Sequence, residues 1–468
     1  MNKIYWDNFY KIIKPFDFIE KLFNYLKNNK IKIAILTNFI SEHQFEKLSK
    51  LKLLKYVDVL VTSEEIGIEK PDKKMYETIL NKLNMKSNEV IMIGDSFKSD
   101  IEGAIKLNIY AGHFVNFNLM DKKYFSFSSI ENLYNLIKDY NNSINDLISL
   151  CNIYGERFDL TQAGGGNTSV KVDDIMFIKA SGFHLTQVTE KSGFVPIQNN
   201  MLKNDILLNK LKPIVSYNFT GSLRGSIETY MHAILKKYTV HLHPIQVNKI
   251  LISKQCEDFI KKFFPNSLLI EYDTPGINVC NKIMSVYNNE EIIFLKNHGI
   301  IITTNDYDTL IPTLESLLNI FETNLQINVD KYKYVNQISK YVNKNYENVS
   351  YLCEDKIINQ YLHDKRQLFQ EKITFPDALI FCGVKVLFID YLQDIENYFE
   401  IYKEYPKVIV INDLVYIINI SLQKCKDTED VLKGNLMILD NNMEKTYLTN
   451  EEICYLNNWD AEKYRKNL

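Results

Sequence analysis

Two apolar runs that each end in histidine constrain this chain more than any other feature. The first run is Tyr238-Thr-Val-His-Leu-His243, and the second is Phe294-Leu-Lys-Asn-His-Gly299. Side chains alternate between the faces of a β-strand, so His241 and His243 share one face, and we expect His298 to follow a second strand at 292–295. Three histidines with an open fourth position are a usual ligand set for a catalytic zinc ion. Standing alone, the His-x-His pair would be better explained as two core histidines.

Three further motifs precede these histidines and supply hydrogen-bond donors. They are Gln162-Ala-Gly-Gly-Gly-Asn-Thr-Ser169, Ile178-Lys-Ala-Ser-Gly182 and Gly225-Ser-Ile-Glu-Thr-Tyr-Met-His232. Consecutive glycines let backbone amides approach an anion, and Asn167, Thr168 and Ser169 add neutral donors. Glu228 is the only carboxylate between Ser222 and His243. The motifs therefore predict a phosphate site beside a metal, with Glu228 as the proton carrier.

In content and order, these motifs resemble the class II aldolase/adducin family over residues 145–325. The resemblance implies an α/β/α sandwich with a mainly antiparallel sheet, assembled as a homo-tetramer. It assigns zinc to His241, His243 and His298, and the acid/base role to Glu228. It assigns the substrate phosphate to four residues: Asn167, Ser181, Gly182 and Ser226. One departure is Arg224-Gly225-Ser226, where relatives often have proline before the serine.

The resemblance implies a zinc-dependent aldolase that cleaves a phosphorylated ketose reversibly into dihydroxyacetone phosphate and an aldehyde. The same fold also hosts a sugar-phosphate epimerase, a dehydratase and decarboxylases, so these reactions stay open. A non-catalytic metal-binding interaction protein is the alternative from another class. The presence of Glu228 beside a full histidine set favours an enzyme.

The region before residue 140 predicts a different α/β unit. Apolar strands alternate with helices, which predicts a doubly wound sheet whose loops follow the carboxyl ends of the strands. Polar residues stand at those ends: Thr37, Asn38, Lys70, Asp95 and Asp100. They resemble the haloacid dehalogenase superfamily, which implies a Rossmann-like fold, phosphate binding at Thr37, Asn38 and Lys70, and Mg²⁺ binding at Asp95 and Asp100.

One motif of that superfamily is missing here. The attacking aspartate, written Asp-x-Asp-Gly-Thr, should stand on a strand before the first helix, yet Asp7-Asn-Phe is the nearest match. The segment from Tyr5 to Ile13 is better explained as the end of a cap helix. We expect a sequence that starts late rather than a degenerate remnant. Phosphatase activity of this half is therefore an open expectation.

Composition sets the remaining expectations. With 468 residues and 46% hydrophobic residues, the chain predicts three domains: 1–140, 145–325 and a small α/β extension at 326–468. A net charge of −3 argues against nucleic acid as a partner, and the longest apolar stretch, 408–422, is too short to span a membrane. Seven scattered cysteines indicate a reducing compartment, so we expect a cytoplasmic enzyme acting on a small sugar phosphate. A helix is predicted at 459–464.

Overall fold

A computed structural model describes residues 2–458 except 118, 121–122, 220, 222 and 343–347. The helix predicted at 459–464 lies outside these residues. The chain divides into two compact units, Met1–Asn142 and Ser143–Leu468. No helix in the described part is long and apolar enough to cross a membrane. All seven cysteines are free thiols, and all but Cys454 are buried.

The first unit alternates strands and helices, as predicted. Its strands are β1 (Ala34–Thr37), β2 (Val59–Thr62), β3 (Ile91–Gly94), β4 (Tyr110–Phe114), β5 (Leu119–Met120) and β6 (Tyr124–Phe127). Its helices are α1 (Asn2–Ile12), α2 (Ile19–Asn28), α3 (Ser41–Lys50), α4 (Ser63–Ile66), α5 (Lys73–Leu83) and α6 (Gly103–Lys106), and α7 (Ile130–Gly155) contains the boundary with the second unit.

The strands of this unit form two sheets where a single one was expected. β1 pairs in parallel with β2, while β3, β4 and β6 are parallel and β5 is antiparallel at the edge. Both sheets share one apolar core, because Leu36 and Val61 of the first pack with Ala111 of the second around Met75 and Tyr76 of α5. The α/β class is confirmed, and the parallel order follows from the helices that connect the strands.

The second unit contains two sheets. Its strands are β7 (Asn167–Val172), β8 (Ile175–Lys179), β9 (Phe194–Gln198), β10 (Tyr238–Leu242), β11 (Leu268–Ile270), β12 (Ile292–Leu295), β13 (Gly299–Thr304), β14 (Val349–Cys353), β15 (Leu387–Phe388), β16 (Val408–Ile411) and β17 (Leu414–Asn419). Its helices are α8 (Asn199–Leu207), α9 (Thr229–Ile234), α10 (Ile245–Leu251), α11 (Cys256–Phe263), α12 (Ile277–Val286), α13 (Tyr307–Leu325), α14 (Asp330–Val342), α15 (Lys356–Asp364), α16 (Pro376–Cys382), α17 (Asp394–Tyr402), α18 (Leu422–Leu439) and α19 (Asn450–Asn458).

The seven-stranded sheet has the order β11-β12-β13-β10-β7-β8-β9 and is antiparallel except between β11 and β12. One face packs against α8, α9 and α12, where Met231 and Ile283 join the sheet residue Ile301. On the other face, Phe294 of β12 stacks near Phe264 and Phe321. The predicted α/β/α sandwich is confirmed. Its central strand is β10, flanked by β7 and β13.

Residues after 325 build a four-stranded sheet of order β14-β17-β16-β15. Both faces of this sheet are buried. Alternate strand residues pack into two cores, one with α15, α16 and α18 and the other with α14 and α17. At the amino-terminal end of α19, the Thr449 hydroxyl accepts from the Glu452 amide while the Glu452 carboxylate accepts from the Thr449 amide, which caps the helix.

Candidate metal centre and phosphate-binding site

The three predicted histidines and Glu228 converge on one point. The Nε2 atom of His241 lies 3.0 Å from that of His243 and 3.2 Å from that of His298. A tetrahedral zinc ion with Zn–N bonds of about 2.0–2.1 Å separates its ligands by roughly 3.3 Å, so this spacing fits one ion. Among the described residues, this is the one group of three or more such side chains close enough to share a metal.

The histidines lie where the strand pattern predicts, and two glycines pack against the His243 ring. His241 lies on β10, His243 follows directly after that strand, and His298 occupies the turn between β12 and β13. Two glycines make room for the His243 ring: a Cβ on Gly165 would lie 3.0 Å from its Nδ1, and one on Gly299 would lie 2.8 Å from its Cδ2. Any side chain at either glycine would push the ring out of place.

Backbone contacts and burial prepare the rings to hold a metal. The Nδ1 atom of His241 lies 2.9 Å from the carbonyl oxygen of Ile300, so Nδ1 carries the proton and Nε2 offers a lone pair. Burial, together with the neighbouring His241 and His298 rings, lowers the pKa of His243 to about 3. A neutral imidazole is the form that binds a metal.

Glu228 stands at the amino-terminal end of α9 and faces the rings. Its Oε1 atom lies 3.3 Å from Nε2 of His241 and 3.6 Å from Nε2 of His298. Burial alone would raise the pKa of Glu228, but positive charge on the His241 and His298 rings that face it outweighs burial and holds the pKa well below its usual range; a cation bound between neutral rings would act in the same direction. The side chain is therefore a carboxylate that can ligate an ion or accept a proton.

The predicted phosphate residues lie in adjoining loops near this centre. The Asn167 side-chain amide donates to the Ser226 hydroxyl at 2.5 Å. The Ser181 amide donates to the carbonyl of Arg224 at 2.8 Å, beside a bridge between Ala180 and Gly225. Ser181 and Gly182 are exposed, and Gly182 has a φ of 85°, which favours glycine. The structure thus brings all four predicted residues into one neighbourhood.

Two of the expected donors point elsewhere. The Ser169 hydroxyl lies 2.8 Å from Nδ1 of His232, and both residues are fully buried. Thr168 is also fully buried and falls on the opposite face of β7. The expectation that these hydroxyls donate to a phosphate is wrong, because the strand turns them into the protein.

Lys179 is a site residue that the motif analysis missed. Its ammonium donates to the carbonyl of Phe183 at 2.8 Å and reaches that of Gly164 at 3.4 Å. Burial lowers the pKa of Lys179, and the Glu228 carboxylate opposes that effect. A cation therefore lies between the two loops where only neutral donors were expected. Its place at the end of a wholly buried strand was the available signal.

In the first unit, three of the five predicted polar residues are joined. The Lys70 ammonium lies 2.6 Å from Oδ1 of Asp100, and the other oxygen of Asp100 accepts from the Ser96 amide. Asn38 holds Lys70 in place, because its side chain bonds both the amide and the carbonyl of that residue.

The other two lie apart from this network. The Thr37 hydroxyl accepts from Gln44 at 2.7 Å, and Asp95 is exposed. Asn38, which follows β1, thus holds Lys70, and Lys70 pairs with Asp100, which follows β3.

Comparison with known families supports two different domains in this chain. Residues 1–112 match the family model "Haloacid dehalogenase-like hydrolase", and residues 145–325 match "Class II Aldolase and Adducin N-terminal domain". The chain therefore joins a haloacid dehalogenase-like domain to a class II aldolase/adducin domain.

Individual relatives cover only parts of the chain. A ribulose-1,5-bisphosphate 5-phosphatase of Halopiger xanaduensis is 35% identical over 100 residues, which is 21% of this chain and 42% of the relative. A glyceraldehyde 3-phosphate phosphatase of Methanothermobacter thermautotrophicus is 30% identical over 102 residues, 22% of this chain and 45% of the relative. The chain spans less than half the length of either phosphatase.

A solved class II aldolase domain from Thermoplasma acidophilum is 22% identical, with a TM-score of 0.36 over 39% of this chain and 93% of that one.

Proposed function

We propose that the second unit is a zinc-dependent aldolase that cleaves a phosphorylated ketose reversibly into dihydroxyacetone phosphate and an aldehyde. The observation that carries the proposal is the convergence of three histidine Nε2 atoms and one Glu228 carboxylate oxygen on a single point. The fixed tautomer of His241 and the glycine cradle around His243 also support a metal site.

The residues of this chain divide the work. When bound, the ion would supply a Lewis acid that polarises a carbonyl oxygen of the substrate. Glu228, held as a carboxylate within 3.3 Å of a ligand nitrogen, would accept or return the proton at the carbon next to that carbonyl. Asn167, Ser226, the Ser181 hydroxyl and the Gly182 amide would hold the phosphate.

A phosphorylated substrate fits the charge of this site. The Lys179 ammonium lies between the Gly164 and Phe183 carbonyls, so the loops that carry the neutral donors also carry one cation. A dianion bound there gains a charge-assisted contact that an uncharged sugar does not. Epimerase, dehydratase and decarboxylase chemistry would use the same residues, so product analysis decides between them.

The test combines metal content with turnover. We expect about one zinc per chain, lost when both His241 and His243 are replaced by Ala and retained in Glu228→Gln. The Gln variant should lose about 10²–10⁴-fold in turnover, measured as dihydroxyacetone phosphate released from a panel of ketose 1-phosphates. Full zinc content in the double alanine variant would overturn the metal site. Unchanged turnover in Glu228→Gln would move the base elsewhere.

For the first unit we propose a phosphate and Mg²⁺ site, with phosphate held by Thr37, Asn38 and Lys70. Asp95 and Asp100 would hold the ion, and two carboxylates suit Mg²⁺ because it usually keeps several waters. The buried Lys70–Asp100 ion pair supports this arrangement. No Asp-x-Asp-Gly-Thr motif precedes Thr37 in this chain, so no phospho-enzyme is expected from it.

Calorimetry and a turnover assay test this second proposal together. We expect inorganic phosphate to bind in the presence of Mg²⁺, and binding should weaken in Lys70→Met and Asp95→Asn. p-Nitrophenyl phosphate should be hydrolysed only at the background rate. Robust hydrolysis that Asp95→Asn abolishes would show that the unit is a complete phosphatase and would refute the assignment of binding alone.

A further inference from the structure

Three alternate residues of strand β7 contact the segment 226–236, which contains Glu228 and α9 and is called the Glu228 segment below. Asn167 donates to the Ser226 hydroxyl at 2.5 Å, and the Ser169 hydroxyl lies 2.8 Å from Nδ1 of His232. Lys171 donates to the carbonyl of Lys236 at 3.0 Å and also to that of Leu235. Because side chains two apart on a strand share a face, these three residues form one polar row.

The row follows the segment from start to end. Its first contact is at Ser226, two residues before Glu228, and its second is at His232, one helical turn after Glu228. The third contact takes the carbonyls that follow α9, where a helix leaves acceptors without partners. Glu228 therefore lies between two fixed points.

Helix α9 depends on such contacts because it is only six residues long. An isolated helix of that length is not stable in water, so its position comes from tertiary contacts. Within the segment, the Ser226 hydroxyl accepts from the Glu228 amide at 3.1 Å, and the Thr229 hydroxyl donates to the Ser226 carbonyl at 2.7 Å. Asn167 therefore positions the Ser226 hydroxyl, which in turn binds the backbone amide of Glu228.

The same strand also pairs with the strand that holds the first histidine of the metal centre. β7 pairs with β10, and Asn167 stands opposite His241 in that pairing. A shift of α9 along β7 would therefore change the distance between the Glu228 carboxylate and the His241 ring, now 3.3 Å.

Buried polar contacts of this kind are costly unless they are satisfied, and they specify register where apolar packing does not. Ser169 and His232 are both fully buried, and burial lowers the pKa of His232 to about 3, so its ring is a neutral, fixed hydrogen-bond partner. Both hydrogen bonds of the Lys171 ammonium in this row go to backbone carbonyl oxygens.

We propose that Ser169 and Lys171 are positioning residues which, with Asn167, fix the register of α9 on β7 and so hold the Glu228 carboxylate at the histidine centre. The inference rests on the proposed function for what Glu228 does. The position of Glu228 can be measured without turnover, and the experiment uses that difference.

The probe is Co²⁺ bound in place of zinc, whose visible absorption reports the geometry of its ligands. Glu228→Gln provides the reference spectrum for a displaced carboxylate. Ser169→Ala, Lys171→Met and His232→Leu should bind one Co²⁺ per chain, because the three histidines are unchanged, and should shift the spectrum towards this reference. We expect kcat to fall about tenfold or more with KM little changed, as for other groups behind a metal ligand. His232→Asn places a side-chain amide near the position of Nδ1. Its spectrum should lie closer to that of the wild type than the spectrum of His232→Leu.

Ser339→Ala is the matched control. It removes a buried hydroxyl that contacts Ser350 at 2.9 Å and also Glu156, in the same unit but away from the metal centre. It should lower stability by a similar amount without changing the Co²⁺ spectrum. A wild-type spectrum in Ser169→Ala and Lys171→Met would overturn the proposal, as would an equal shift in the control. If the spectra shift as expected while wild-type protein shows no aldol cleavage, the positioning role stands and the proposed reaction fails.

Discussion

Glu156 is a buried carboxyl that ties α7 to the carboxyl-terminal sheet. Its oxygens accept from the Asn336 side chain at 3.3 Å and from the Ser350 amide at 3.4 Å. Burial raises the pKa of Glu156 from 4.5 to about 8, although these hydrogen bonds and one from Ser339 oppose the rise. The folded protein therefore keeps a proton on Glu156 that the unfolded chain releases at lower pH.

The direction of the pH dependence follows from that difference. A carboxyl with a raised folded pKa stabilises fully below its unfolded pKa of about 4.5, and this stability is lost as the pH rises through about 8. Residue 156 cannot titrate in Glu156→Gln, so we expect its free energy of unfolding relative to wild type, measured with urea, to increase between pH 5 and pH 8 by up to about 1.4 kcal/mol per pH unit. Parallel midpoints for the two proteins across this range would contradict the assignment.

At the residue scale, the ligands were predictable and their supports were not. The shared face of His241 and His243 follows from strand alternation and Glu228 is the lone carboxylate of its segment, whereas their proposed roles came from the family resemblance. Lys179 and Lys171 carry no such signal, since a lysine in a buried strand is defined by the distant carbonyls it meets. Thr168 and Ser169 were misjudged for the same reason. Their direction depends on which face of β7 meets α9.

Among the elements, β3 has an exposed apolar face. Ile91 is 56% exposed and Ile93 is 39% exposed, and no described strand pairs with the edge of β3 opposite to β4. Open apolar edges of this kind promote association between chains. Ile91→Lys should raise the protein concentration at which light scattering appears, with little change in the urea midpoint. Ile252→Lys, which replaces an isoleucine that is 67% exposed at a helix end, should leave scattering unchanged.

Element bounds were predictable where a strand is short and apolar. The strand at 292–295 has the predicted ends, since turn residues follow it. The division of the first unit into two sheets was not predictable, because pairing between strands distant in sequence is not encoded in local periodicity. The antiparallel order of the seven-stranded sheet came instead from the family resemblance.

At the scale of the whole molecule, the two units have separate apolar cores and different proposed ligands. The first unit packs around α5, and the second packs around the seven-stranded sheet and the carboxyl-terminal sheet. Metal at the histidine centre should stabilise only the unit that contains it, because a ligand stabilises the folded form to which it binds. Phosphate with Mg²⁺ should likewise act on the first unit.

Thermal unfolding of the full chain should therefore show two transitions that respond to different ligands. Zinc at about 100 times its Kd should stabilise the unit at 143–468 by about 2.7 kcal/mol and leave the other transition unchanged. A chelator should reverse the shift, and His243→Ala should abolish it. Tryptophan fluorescence of a Trp459→Phe variant assigns the first transition, because its remaining tryptophan, Trp6, stacks on His43 within the first unit. A single transition that zinc moves as a whole would show that the two cores unfold together, because cooperative unfolding couples a ligand to every part that unfolds with its site.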